Sequence, residues 1–169
     1  LVDMTMNANF NEVFFTDVRV PAHQMVGARG DGWKVANTIL ANERDSLADP
    51  NAMLARLNAL TELMQAETLD GVRLIDRPAW RDRLMRMQGR VMAQRFSDLR
   101  NLSNRLAKRG GDGPRDPGAA LSAMIMKLQG TELRHELEAL GIDALGEIGL
   151  AWGDSPLLRD GGAWQYHHM

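Results

Sequence analysis

The chain has 169 residues, of which 44% are hydrophobic and 25% charged, as is usual for a globular domain with a substantial core. Its formal net charge of -2 at pH 7 gives no reason to expect a nucleic acid or an anionic membrane as a partner. The absence of cysteine excludes disulfides, thiolate nucleophiles and cysteine metal sites, and no apolar run approaches the roughly 20 residues that span a bilayer.

The first predicted element is a β-strand over residues 10–20, FNEVFFTDVRV. Apolar and polar residues alternate in its second half, and Pro21 bounds it. A strand is not stable alone, so we expect its sheet partners in upstream sequence. The chain, which starts at Leu1, is therefore expected to be a fragment of a longer protein. The lack of cysteine and of a membrane-spanning run leads us to expect a reducing, cytoplasmic location.

Helices joined by short turns are predicted from Gly32 to residue 145, and no closing element is predicted after Gly146. Apolar residues recur at helical spacing as far as Leu47, where Asp49-Pro50 ends the first helix and starts the second as N-cap and first helical residue. Two further long helices are predicted over residues 78–108 and 118–145, and the turn-forming segment GGDGPRDPG separates them.

The apolar positions of these helices predict which side chains face the core. The predicted inward residues are Met53, Leu54, Leu57, Leu60 and Met64, then Trp80, Leu84, Met87, Val91, Phe96, Leu99, Leu102 and Leu106, then Leu121, Ile125, Leu128, Leu137 and Leu140. Three long amphipathic helices joined by short turns predict a mostly α fold, an antiparallel helical bundle preceded by one β-strand.

Several short motifs stand in a specific order between residues 10 and 44. They are Glu12-Val13-Phe14-Phe15, Asp17-Val18-Arg19-Val20-Pro21, Val26-Gly27 and Gly32-Trp33. This order closely resembles the junction between the middle β-domain and the C-terminal helical domain of acyl-CoA dehydrogenases. The segments LIDRPAWRDRL and MKLQGTELRHEL are similar to the divergent bacterial branch associated with lipid and sterol breakdown. The resemblance implies that residues 1–27 end the β-domain and its linker, and that residues 28–169 form a truncated helical domain.

The resemblance also implies FAD-dependent α,β-dehydrogenation of an acyl-CoA thioester, an electron-transfer acceptor, and a homo- or hetero-oligomer. The reaction needs a carboxylate that removes a weakly acidic proton in a desolvated pocket. Some family members carry it in a Glu-Arg pair eleven residues after the glycine that opens the first C-terminal helix. Counting from Gly32 reaches Glu43 and Arg44, so the resemblance implies Glu43 as base and Arg44 as its orienting neighbour. Other members place the base on a later segment, and this alternative stays open.

The family's usual contact to the flavin pyrophosphate has no obvious counterpart. It is an Arg-x-x-Phe-Gly motif between the first two long helices, where this chain reads LDGVRLIDRPAW. Arg73 is the candidate replacement, because a guanidinium suits phosphate, and a solvated loop arginine is the alternative. We expect the isolated chain to be inactive and not to bind FAD. The missing motif leaves open a second function, a non-catalytic partner subunit or helical assembly module of a heteromeric dehydrogenase.

The remaining candidate residues receive structural interpretations, and no metal site is predicted. His135 is expected to lie at a surface or between helices, and His167-His168 to be a frayed terminus without the i, i+4 spacing of a helical metal site. The methionines are interpreted as core residues, with an acyl pocket as the alternative, at Met85, Met87, Met92, Met124 and Met126.

Overall fold

The computed structural model describes residues 1–46, 49–109 and 118–169, without the side chains of residues 41–46, 108–109, 119–120 and 123. The chain forms two units, Leu1–Ser46 and Leu47–His168. Helices dominate the described residues, and the predicted mostly α fold is confirmed. Within the same residues, no helix is both long enough and apolar enough to cross a membrane.

The first unit contains a single turn of 3-10 helix, Ala22–Gln24, and one α-helix, α1, Gly32–Ser46. The strand predicted over residues 10–20 is wrong, because this segment has no regular structure. Asp17 interrupts the extended run with a φ of 50°, in the left-handed region that non-glycine residues rarely adopt. The described chain also places no second strand beside the segment, so its backbone groups have no ladder to join.

The second unit is a helical bundle whose three long helices pack against one another in pairs. The helices are α2, Pro50–Ala66, α3, Pro78–Arg109, α4, Ala119–Leu145, and the short α5, Ala163–His168. Short 3-10 helices at Leu74–Asp76, Gly146–Leu150 and Asp160–Gly162 connect them. The predicted long helices are confirmed, whereas α5 was not predicted and most of the GGDGPRDPG segment lies outside the described residues.

The start of α2 follows from its first two residues. Asp49 precedes the helix, and its Oδ1 accepts a hydrogen bond from the backbone N–H of Asn51 at 2.9 Å. Pro50 occupies the first helical position, where its missing N–H leaves no intrahelical bond unmade. The predicted helix start at Asp49-Pro50 is therefore confirmed.

A short β-hairpin with two residues in each strand, which was not predicted, joins α2 to α3. Its strands are β1, Thr68–Leu69, and β2, Val72–Arg73, paired antiparallel. Asp70 and Gly71 form the turn with φ values of 52° and 75°. Positive φ at both positions is what a type I′ turn requires, and Asp-Gly between apolar residues is its usual sequence signal.

The core of the bundle lies where all three long helices meet. Four of the five residues predicted inward in α2 are buried, and Leu54 is half-buried against them. The other buried apolar residues of this core are Leu74, Leu84, Val91, Leu133, Leu137, Leu140, Ala144, Leu145 and Trp164.

The later half of α3 and the first half of α4 lie beyond this core. With 17 residues, α2 is about 26 Å long, whereas the 32 residues of α3 extend over about 48 Å. The prediction that these side chains face the core is therefore wrong at the positions of α3 and α4 that α2 is too short to cover. Their exposed set, called here the distal apolar face, is Phe96, Leu99, Leu102, Leu106, Leu121, Met124, Ile125 and Leu128.

Candidate functional site

The helix that carries the predicted base begins at a glycine-rich turn. Gly27 and Gly30 have φ values of 78° and 97°, which other residues rarely adopt. Asp31 directly precedes α1, and its carboxylate accepts a hydrogen bond from the backbone N–H of Ala28 at 3.2 Å. These contacts fix where the helix starts, and Gly32 is its first residue.

Glu43 and Arg44, the predicted base and its neighbour, both lie within α1. Their side chains lie outside the described residues, so their roles stay predictions. The backbone is helical from Gly32 through Ser46. The eleven-residue interval between Gly32 and Glu43 is therefore an interval along one continuous helix, about 16 Å at 1.5 Å per residue.

Arg73, the predicted phosphate ligand, lies at the end of the hairpin, where its strand partner is Thr68. Its Nε donates a hydrogen bond to Oδ2 of Asp76 at 2.7 Å, and both side chains are about half exposed. This hydrogen bond, and then the charge of Asp76, raise the pKa of the Arg73 guanidinium. Arg73 therefore has an anionic partner within the described residues, and its role as a phosphate ligand stays a prediction.

The other cations around the hairpin also have partners. Arg77 donates from Nη2 to the carbonyl oxygen of Leu69 and, at 3.0 Å, to Oδ2 of Asp70. Arg159 lies 3.6 Å from a carboxylate oxygen of Glu67. These arginines neutralise carboxylates of the same region and hold the hairpin against the bundle.

The histidines connect α4 to α5. The rings of His135 and His168 stack with their centroids 4.0 Å apart, so His135 pairs helices as predicted. The predicted frayed terminus at His167-His168 is wrong, because both residues belong to α5 and Nδ1 of His167 lies 3.4 Å from Arg134. The described residues contain no group of three or more metal-ligating side chains of the His, Cys, Asp or Glu type.

A buried charge cluster in the bundle was missed by the sequence analysis. Glu138 is fully buried, and Arg56 binds it through both of its carboxylate oxygens, with Nε to Oε1 at 2.8 Å. The guanidinium carbon of Arg56 also lies 3.8 Å from the ring centroid of Trp164. The cluster joins α2, α4 and α5. Its residues sit next to apolar core positions, and no spacing in the sequence distinguishes them from surface charges.

Trp164 packs directly against the backbone of α4. A Cβ added at Gly141 would lie 2.1 Å from Cε3 of Trp164, closer than real Cβ atoms approach other atoms. Only glycine therefore fits at position 141. The indole is held between this glycine and Arg56, which fixes α5 to the bundle.

Comparisons with known proteins find one family along most of the chain. Residues 30–161 match the family model described as "Acyl-CoA dehydrogenase, C-terminal domain". Three proteins of Mycobacterium tuberculosis are similar. Acyl-CoA dehydrogenase IpdE1 is 33% identical over 156 residues, acyl-CoA dehydrogenase FadE34 is 35% identical over 142 residues, and acyl-CoA dehydrogenase FadE26 is 30% identical over 150 residues.

The chain is shorter than each of these relatives. The matched regions cover 91%, 81% and 86% of this chain, but only 37%, 17% and 36% of IpdE1, FadE34 and FadE26. The chain thus spans little more than a third of IpdE1 and FadE26. The similarity covers α1 through the 3-10 helix at Asp160–Gly162 almost completely.

Proposed function

The chain belongs to the acyl-CoA dehydrogenase family, and from this premise we propose that it is the C-terminal part of an enzyme that catalyses FAD-dependent α,β-dehydrogenation of an acyl-CoA thioester. Under this proposal, residues 1–27 end the middle β-domain and its linker. Residues 28–169 form the C-terminal helical bundle domain. The named relatives are all called acyl-CoA dehydrogenases, which supports the reaction class.

Glu43 is proposed as the general base. It removes the proton from the carbon next to the thioester carbonyl, a weakly acidic position that needs a carboxylate of raised basicity. Arg44 orients this carboxylate and supports its charge. FAD, when bound to the intact protein, supplies the acceptor for the hydride that leaves the neighbouring carbon.

The observation that carries this proposal is the continuity of α1. The resemblance that identifies Glu43 depends on a fixed spacing from the glycine that opens the helix. Because α1 is helical from Gly32 through Ser46, this spacing corresponds to a fixed distance along a rigid element. A break between Gly32 and Glu43 would have removed the basis for the assignment.

The cofactor and partners are proposed for the intact protein. We propose that it binds FAD, an acyl-CoA substrate and an electron-transfer acceptor, acts in the cytoplasm, and assembles as a homo- or hetero-oligomer. Arg73 stays the candidate phosphate ligand of this chain, and a bound phosphate would compete with Asp76 for its guanidinium.

The base assignment is tested by Glu43→Gln in the full-length protein that contains this chain. The amide is nearly isosteric but does not accept a proton, so we expect turnover with a panel of acyl-CoAs to fall by about 10²–10⁴-fold. Reduction of an artificial electron acceptor measures turnover, and the flavin absorption band reports whether the cofactor is still bound.

Glu62→Gln is the matched control, because Glu62 is exposed on α2. It should leave turnover within twofold of the parent protein. Near-normal turnover of Glu43→Gln with flavin bound would refute the assignment and favour a base on another segment.

The alternative is a non-catalytic partner subunit or helical assembly module. The compensated charge of Arg73 favours it, since the chain offers no uncompensated arginine at the hairpin. Purification of the full-length protein alone and with its co-expressed neighbours distinguishes the two functions. Flavin and turnover in the protein alone support the enzyme, whereas activity only in a mixed complex that survives Glu43→Gln supports the module.

A further inference from the structure

A cleft of about 320 Å³ lies between α2 and α3, and Ile75 of the 3-10 helix that precedes α3 adds to its lining. Its lining comes from one face of each helix, with positions spaced three and four residues apart. Leu57 and Leu84, both almost fully buried, form part of the wall that the cleft shares with the core. A volume in this range is typical of sites for small ligands.

The ends of the cleft differ in polarity. Arg81 and Met92 are its first and last lining residues on α3, eleven positions and about 16 Å apart along the helix. Because α2 and α3 run antiparallel, Leu54 lies toward the Met92 end, which is apolar. The Arg81 end carries the cation, and the exposed amides Asn58 and Gln88 line the mouth between the two ends.

Arg81 differs from its neighbours on α3 in its charge partners. Within the described part of the chain, its guanidinium makes no ion pair. The next arginines of the helix are each paired, Arg83 with Asp143, Arg86 with Asp82, and Arg90 with Glu136. Arg81 therefore presents an uncompensated positive charge at one end of an apolar cleft, and an anionic group is the complementary ligand.

We propose that this cleft binds a medium-chain carboxylate, with its hydrocarbon tail along the apolar walls and its carboxylate on Arg81. An unbranched chain of about ten carbons together with its carboxylate matches the roughly 16 Å that separate Arg81 from Met92 along α3. Burial of the tail removes apolar surface from water, and the bidentate guanidinium fixes the head group. This site goes beyond the dehydrogenation proposed above and does not depend on Glu43.

Titration of the full-length protein that contains this chain with sodium decanoate, monitored by calorimetry, tests the proposal. Arg81→Gln should weaken decanoate binding about tenfold, the loss of one charge-assisted contact. It should leave binding of 1-decanol, which has the same tail and no charge, unchanged. Arg86→Gln is the matched control, because Arg86 lies on the same helix, pairs with Asp82, and does not line the cleft.

A second variant tests whether the hydrocarbon tail lies in the cleft. Asn58→Trp places an indole in the mouth of the cleft at an exposed position, where folding should tolerate it, and should abolish binding of both decanoate and decanol. An unchanged urea unfolding curve shows that the variant is folded. The proposal fails if decanoate does not bind the folded chain, or if Arg81→Gln and Arg86→Gln weaken it equally. It also fails if the cleft of the full-length protein is covered by another protein segment and takes up no decanoate.

Discussion

Single residues affect the packing of the second unit in opposite ways, and two glycines within its long helices, Gly89 and Gly141, show this. Gly141 of α4 faces Trp164 so closely that no side chain fits. Gly89 of α3 has nothing within 4 Å of the position that a Cβ would occupy. The same substitution should therefore have opposite effects at the two sites.

We expect Gly141→Ala to lower the free energy of unfolding by about 1–3 kcal/mol, because the new methyl group displaces Trp164 from its place on α4. Gly89→Ala should raise it by about 0.5–1 kcal/mol, because alanine favours the helix and meets no neighbour. Urea unfolding of the two variants measures both changes. Changes of the same sign in the free energy of unfolding at the two positions would contradict the packing described for Trp164.

The buried pair of Arg56 and Glu138 should be sensitive to loss of one partner. Arg56→Ala leaves the fully buried carboxylate of Glu138 without its cation, and we expect a loss of about 3 kcal/mol in the free energy of unfolding. Arg86→Ala removes an exposed pair with Asp82 and should cost at most about 0.5 kcal/mol. A loss for Arg56→Ala as small as that of Arg86→Ala would show that water reaches Glu138.

At the scale of elements, the sequence predicts most of the helices because their signals are local. The cap at Asp49, the proline at position 50 and the apolar spacing of α2 all act within a few residues. The hairpin could also have been predicted from the sequence, since Asp70-Gly71 is a specific turn signal. The absence of a strand over residues 10–20 could not be predicted, because strand pairing depends on a neighbour that residue order does not reveal.

The candidate site divides in the same way. The position of Glu43 on α1 follows from local helix signals, and the ion pair of Arg73 with Asp76 is also local, three residues apart. The burial of Glu138 depended on Arg56, 82 residues away. Contacts at such separations are set by packing, which no periodicity in the sequence records.

The loop at residues 3–9 is the element that should respond to pH. Oδ1 of Asp3 accepts hydrogen bonds from the hydroxyl of Thr5 at 2.6 Å and from the backbone N–H groups of Thr5 and Asn7 at 2.9 Å. The Thr5 hydroxyl, and then the Asn7 amide, hold the pKa of Asp3 below its ordinary value of 3.8. A lowered pKa means that the folded loop favours the ionised carboxylate.

The stabilisation by Asp3 is therefore complete above pH 3.8 and is lost as the pH falls through the lowered pKa. Amide chemical shifts of Thr5 and Asn7 in an acid titration should change together, with a midpoint below 3.8. Asp3→Asn should remove this transition. A midpoint above 3.8 would show that the carboxylate is not held by these donors.

For the whole molecule, the distal apolar face is the feature with the largest consequence for assembly. It consists of two neighbouring helix surfaces that α2 does not reach. Two copies of such a helix pair can complete a four-helix arrangement and bury both faces. A second copy of the chain is thus a self-complementary partner for this surface.

We expect the 169-residue chain to self-associate at micromolar concentration through the distal apolar face. Leu99→Glu with Leu128→Glu should shift sedimentation toward the monomer, because each charge would be desolvated in the contact. Leu157→Glu, at an exposed position outside the face, is the control and should leave sedimentation unchanged. A clean monomer before any substitution would refute the expectation.

We also expect the isolated chain to be colourless after purification. Its one candidate phosphate ligand, Arg73, is bound by Asp76, and losing even two charge-assisted phosphate contacts at about 1.5–3 kcal/mol each weakens binding by orders of magnitude. An absorption spectrum of the purified chain, before and after incubation with FAD and desalting, measures this. A flavin band that survives desalting would contradict it.

The clamp of Trp164 between Gly141 and Arg56 also sets an order of events during synthesis. Arg56 leaves the ribosome long before Glu138, which follows it by 82 residues, and Trp164 emerges later still. Until then α2 has neither the carboxylate that pairs with its arginine nor the indole that covers it. Its apolar face therefore stays exposed to water or to chaperones. The clamp is completed only once Trp164 has been translated, so a chain that ends before this residue lacks a side chain of its core.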